Sequence, residues 1–347
     1  MEKKNGILVF IFSIYVCFMS YYLYTHHYYN TDMEAYMGLI YKTEYPDMKI
    51  EDIHKKVYDE LKEKNPDFAG LGPVDPMVEE IAKGESTYYK IISQNPKAYE
   101  EELQLFVVKP FYNFIGWSLF KLGFSASVSI SLISVISYAL ILILIFIFLI
   151  RILKNYPLAF ILTILISMFK PLPESARHVS ADSLSCLLLL LSFYVFLMRK
   201  NIFWAGILGM LCVLTRPEYF IFYSFLYGFI YLYRDRFQIK TAPLLISYGY
   251  LFLSFFLIQA FNQVSWSTLF MNQFTKVQIY PVSQPEPFSF TDYFHFIKRN
   301  IMLEFNSSYF PILLIFIVVI LANHFSFRNK KIRLRFCFLL LFMELLC

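Results

Sequence analysis

Apolar runs of membrane-crossing length recur along this chain, and most of them stop at a pair or cluster of lysines and arginines. A helix that crosses the hydrocarbon core of a bilayer needs roughly 17–25 mainly apolar residues. Gly6 to Tyr24 meets that requirement behind Lys3 and Lys4, and Ser125 to Ile150 meets it ahead of Arg151 and Lys154. A third run opens near Pro157 and closes at Phe169; a fourth covers Asp182 to Met198, ahead of Arg199 and Lys200. Ile202 to Tyr233 is too long for one span, and Thr215-Arg216-Pro217-Glu218 divides it into two tight ones, followed by Arg234, Arg236 and Lys240. Pro243 to Phe261 is the seventh run and Tyr309 to Ala322 the eighth. A short stretch, Phe336 to Cys347, comes after the basic cluster Arg328 to Arg335. The expected fold is an all-α integral membrane protein with about 8–9 transmembrane helices.

Composition excludes the main alternative. Only 16% of residues are charged and 58% are hydrophobic, whereas a soluble domain carries about 25% charged residues to face water. The formal net charge of +5 belongs to loops beside the apolar runs, so nucleic acid is not an expected partner. With the N-terminus in the cytoplasm, the basic clusters fall on the cytoplasmic side, as the positive-inside rule requires of short loops. Lys276, Lys298 and Arg299 fall on the other side, in a long loop that the rule governs weakly. No small-residue cleavage site follows the first run, which therefore reads as a retained span. The five cysteines lie in apolar stretches without metal-ligand spacing and read as small hydrophobes.

These spans divide the chain into a first transmembrane helix (residues 1–24), an extracytoplasmic loop (25–124), a transmembrane core (125–261), a second extracytoplasmic loop (262–308) and C-terminal transmembrane segments (309–347). Between Thr25 and Leu105 the first loop has 17 acidic against 9 basic side chains. Within it, Glu51 to Lys64 has helical periodicity, with Ile53, Val57 and Leu61 on one side. Asn65-Pro66 and Gly70 to Pro76 punctuate the loop. Leu103 to Leu122, broken near Lys109-Pro110, reads as an interfacial helix at the depth where Trp117 is at home. In the second loop an amphipathic stretch is expected to be capped by Thr291 or Asp292.

Charged residues at membrane level are costly and usually face a bundle interior. Three groups stand out. Asp32 and Glu34 follow the first span. Lys170, Glu174, Arg177, His178 and Asp182 lie between the third and fourth, and Arg216 and Glu218 form the tip between the fifth and sixth. All are expected on the extracytoplasmic face, where they can converge on one cavity. Each also has a plainer role open to it. Asp32 suits the cap of a helix over Met33 to Tyr41, Lys170 and Arg177 suit interface anchoring, His178 suits simple packing, and Arg216 suits pairing with Glu218. His26-His27 lacks a third metal ligand, and Asn306-Ser307-Ser308 is a glycosylation sequon.

Across residues 6 to 235 this layout resembles the GT-C superfamily of membrane glycosyltransferases, bacterial type. The resemblance rests on Asn30-Thr31-Asp32-Met33-Glu34 after the first span, the large loop beyond it, and Lys109-Pro110-Phe111-Tyr112, similar to the family's Arg-Pro-Leu-Tyr segment. It also rests on Leu214-Thr215-Arg216-Pro217-Glu218-Tyr219, similar to the Arg-Pro-Glu tip of bacterial members. It implies an enzyme of the bacterial inner membrane. Such an enzyme moves a sugar, with inversion, from a polyprenyl-phosphate-linked donor to an extracytoplasmic acceptor: an envelope glycan, lipid or protein. Asp32 takes the place of the family's catalytic base, with Glu34 as the second catalytic candidate. Lys170, Arg177, His178, Arg216 and Glu218 are the candidates for binding substrate and lipid phosphate. No metal ligand set is assigned, although the Asp-x-Glu spacing is compatible with a divalent cation. The chain is shorter than most family members and lacks a soluble C-terminal domain. A multi-span lipid or solute transporter and a non-catalytic envelope-assembly protein are the competing readings. A transporter predicts a polar site near the bilayer midplane and internal repeats, and no repeat is evident.

Overall fold

The computed structural model describes residues 2–65, 88, 90–274 and 277–306. The turn at Gly70 to Pro76, Lys276, Ser307 and Ser308 of the sequon, and everything expected of residues 309–347 lie outside these. Among the described residues every regular element is a helix and there is no strand.

The first unit, Met1–Ser265, opens with α1 (Glu2–Thr25) and continues with α2 (Thr31–Glu44), α3 (Ile50–Lys64), α4 (Pro96–Phe106) and α5 (Pro110–Lys121). Next come α6 (Ala126–Leu153), α7 (Tyr156–Ser167), α8 (Pro171–Arg177), α9 (Asp182–Arg199), α10 (Ile202–Thr215), α11 (Tyr219–Leu232), α12 (Arg234–Phe237) and α13 (Thr241–Phe261). The second unit, Trp266–Cys347, contains α14 (Trp266–Phe274) and α15 (Phe290–Asn306). There Ser289, rather than Thr291 or Asp292, supplies the capping oxygen, accepting from the Asp292 N–H at 3.3 Å.

Asparagine starts many of these helices. Asn30, Asn95, Asn155 and Asn201 each accept a first-turn backbone N–H through the side chain, satisfying donors that have no partner inside the helix. Asn30 therefore caps α2, and Asp32 is free of the capping role. Proline opens α4, α5 and α8 at the first helical position, where its missing N–H costs nothing.

Among the described residues, four helices are long and apolar enough to cross a membrane: α1, α6, α9 and α13. The bent pair α7–α8 makes a fifth if it is taken as one span. The helices α10 and α11 have 14 residues each, about 21 Å at 1.5 Å per residue, which falls short of a core about 30 Å thick. The larger number of spans expected from sequence thus depends on these short helices and on segments outside the described residues.

The longest helix, α6, is the hub, packing against α1, α2, α5, α7, α8 and α9, while α9, α10 and α13 form a second row. Serines line the packed face of α6 at Ser127, Ser131, Ser134 and Ser137, small enough for close helix contact. The expected helix at Glu51 to Lys64 is α3, with Ile53, Val57 and Leu61 buried. The stretch Leu103 to Leu122 is two helices, α4 and α5, broken at residues 107–109 where Pro110 removes an N–H. Together α2, α3, α4 and α5 make a compact cap whose centre holds Tyr36, Tyr99 and Tyr112, each at most 1% exposed.

Between α7 and α8 the chain bends by 60°. Pro171 and Pro173 prevent α7 from continuing, and polar side chains meet the break. The Tyr15 and Ser167 hydroxyls are 2.5 Å apart, and the Tyr138 hydroxyl donates to the Ser167 carbonyl at 3.4 Å. Tyr15 and Tyr138 lie midway along α1 and α6, so the break is level with the middle of both long helices.

Candidate functional site

Asp32 sits in the first turn of α2, at the end of the bundle where α1 stops. The side chain is partly accessible, yet the protein surrounds it closely enough that burial pushes its pKa up. Lys109, Arg216 and His178 oppose that push by favouring the carboxylate. Three elements thus bring basic side chains toward one carboxylate: the start of α5, the α10–α11 tip and the loop after α8. Lys109 feels Asp32, Arg216 and Glu218 in turn, and burial pulls its pKa down.

Lys109 donates from Nζ to the Tyr36 hydroxyl at 2.9 Å and lies 4.9 Å from the Phe106 ring centroid. The ring face favours a cation that is partly stripped of water. Tyr36 packs on Tyr112, with ring centroids 4.5 Å apart, so the lysine is held on an aromatic floor. Arg216 forms an ion pair with Asp182 at the start of α9, and its Nε is 3.7 Å from the Glu218 carboxylate. Asp182 in turn accepts from the Ser180 hydroxyl at 2.9 Å. The Arg216–Glu218 pair read from sequence is present, and Asp182 is the stronger partner.

His178 and Arg216 thus act electrostatically on Asp32, and Glu218 joins them through Arg216 and Lys109. Three other candidates are placed elsewhere. Glu34 is fully buried, at 0% exposure, on the opposite side of α2, because residues two apart on a helix do not face each other. For the same reason Asp32 and Glu34 do not converge as ligands of a single cation. Arg177 clamps the end of α1 instead. Its Nε donates to the His26 carbonyl at 2.8 Å, its NH1 pairs with Glu174 at 3.2 Å, and its guanidinium lies 4.0 Å from the Tyr28 ring centroid. Lys170 is exposed at the α7–α8 bend. The two histidines at the end of α1 place Nδ1 against carbonyls of their own helix, His26 on Tyr22 at 2.9 Å and His27 on Tyr24 at 2.5 Å.

Lys109 and Asp182 are the residues that site reasoning from sequence passed over. Each had a signal. Lys109 opens the Lys-Pro-aromatic step, and Asp182 belongs to the charged group between the third and fourth runs.

Comparison with family models, with curated proteins and with solved structures finds no match to this chain.

Proposed function

We propose that this protein is an inverting glycosyltransferase that moves a sugar from a polyprenyl-phosphate carrier to an extracytoplasmic acceptor. The observation that supports this reading best is a partly accessible carboxylate, Asp32, under the electrostatic influence of Lys109, Arg216 and His178 at the head of a bundle of apolar helices. Asp32 removes the proton from the acceptor hydroxyl as that oxygen attacks the anomeric carbon. The bond to the lipid phosphate breaks on the opposite face, and the negative charge that collects on the phosphate meets Arg216 and Lys109. The planar guanidinium suits phosphate oxygens, and Asp182 and Glu218 aim it. The prenyl tail lies among the apolar helices. In this reading the N-terminus is cytoplasmic, the membrane is a bacterial inner membrane, and residues 25–124 face outward, consistent with the basic clusters.

One observation favours the transporter reading: the broken span α7–α8 places exposed Lys170 level with the middle of α1 and α6. Broken helices near the bilayer midplane form the binding sites of many transporters.

Turnover of a radiolabelled polyprenyl-phosphate hexose by the purified protein, wild type against Asp32→Asn, separates the two. The expected result is a loss of about 100-fold or more in the variant, with thermal stability retained. No turnover or binding of any donor by the wild type sinks the enzyme reading, and a Lys170-dependent substrate flux would replace it.

A further inference from the structure

Glu34 on α2 and Glu102 on α4 are both buried, at 0% and 2% exposure. Among the described residues, three of their four carboxyl oxygens lack a partner in regular hydrogen-bond geometry: both oxygens of Glu34, and Oε2 of Glu102. The remaining oxygen accepts from the Tyr88 hydroxyl at 3.1 Å. Tyr58 from α3 lies beside Glu34, close enough to favour its charged form, but burial outweighs it. Tyr99 from α4 donates to the Glu34 main-chain carbonyl at 2.6 Å, not to the carboxyl. His54 packs beyond, tilted against the Tyr58 ring and edge-on to the Tyr99 ring. The charged group nearest along α2 is Asp32, another anion, which further disfavours ionisation of both glutamates. Lys109 and Arg216 act on Asp32.

Burying one uncompensated carboxylate costs several kcal/mol, and a second beside it costs more through repulsion. A bound proton removes the charge and turns an orphaned oxygen into a donor. We propose that Glu34 and Glu102 together hold a proton at neutral pH and act as a pH-sensitive latch between α2 and α4, behind Asp32. When the proton leaves to solvent, buried repulsion pushes α2 away from α4, and the new charge sits two residues from Asp32 and opposes its ionisation.

The direction follows from the unfolded reference. Glu34 is raised from 4.5 to about 8 by burial first and by Asp32, so the folded state holds the proton more tightly than the unfolded chain. The contribution of this pair to stability is therefore greatest at low pH and falls as pH climbs from about 4.5 to about 8.

The test uses the full chain in lipid nanodiscs. Infrared spectra of the wild type are expected to show a protonated-carboxyl C=O stretch at neutral pH that titrates away on alkalinisation and weakens in Glu34→Gln and Glu102→Gln. Thermal unfolding of the wild type is expected to drop by about 2–4 °C or more toward alkaline pH, and Glu34→Gln to flatten that slope. Absence of the carboxyl band in the wild type overturns the proposal even if neither variant folds. So does a fall in Tm with EDTA that calcium restores, because a cation would then neutralise the pair. Neither readout uses sugar donor, so failure of the glycosyltransferase reading leaves this result standing.

Discussion

Lys109 reaches from the start of α5 to the Tyr36 hydroxyl, one turn beyond Asp32 on α2, and so fixes a cation beside the candidate base. Two helices that are 65 residues apart at their facing ends (Glu44 to Lys109) meet through this contact.

Lys109→Met keeps the apolar stem and removes the charge. Donor turnover is expected to fall by about 100-fold or more, while Lys109→Arg retains part of it. An equal loss in both variants, with Tm unchanged, would assign the role to the ammonium shape rather than to charge.

At the α10–α11 tip, Asp182→Asn removes the main partner of Arg216. Both side chains are partly solvent-screened, so the stability loss is expected to be about 1 kcal/mol at most. Turnover should fall further than stability, since a guanidinium that is no longer aimed stabilises the leaving phosphate poorly. Thermal unfolding and turnover measured on the same preparation check the split.

Glu60 ties α3 to the start of α6. It accepts from the Ser127 N–H at 2.9 Å and the Ser127 hydroxyl at 2.6 Å, and also from the Tyr41 hydroxyl. Glu60→Ala leaves a first-turn donor of α6 without its partner, and a loss of about 1–2 kcal/mol is expected from chemical unfolding.

Gly206 on α10 sits where an added Cβ would lie 2.7 Å from the Ser247 Cβ on α13. Gly206→Ala is expected to cost about 1–3 kcal/mol by forcing the two helices apart, and Ser247→Gly in the same chain should recover most of it. A double-mutant cycle on Tm measures the recovery.

His54 gives a second pH effect, opposite in sign to that of the glutamates. Burial lowers its pKa below 6.5, and its Nε2 is 3.0 Å from the Ile92 carbonyl. The folded state thus prefers the neutral ring. Its contribution is complete above the unfolded value of about 6.5 and is lost as pH falls through the lower folded value. The expected result is a wild-type Tm that falls relative to that of His54→Gln on acidification below about pH 6, superimposed on the opposite trend of the glutamates.

Much of the architecture is local in origin. Apolar runs longer than about 17 residues admit one solution in lipid, so α1, α6, α9 and α13 are legible from composition along the chain. Helix periodicity located α3 and its buried face, and Pro110 placed the break between α4 and α5. The three charged groups near the ends of those runs were also legible, and within them Arg216 pairs with Glu218 and acts electrostatically on Asp32.

Tertiary packing decided the rest. Which side of α2 meets the cavity depends on what packs behind it. Asp32 faces the cations, while Glu34, two residues on, is turned into the core against Glu102 on α4, more than sixty residues away in sequence. Arg177 looked equivalent to Arg216 in sequence, yet the meeting of α1 with α8 commits it to Tyr28 and the His26 carbonyl. Lys109 became a site residue only because Tyr36 and Phe106 give it an aromatic floor. Hydropathy is summed along the chain and survives in any single sequence, whereas the facing of a charged side chain is set by distant partners that no local pattern encodes.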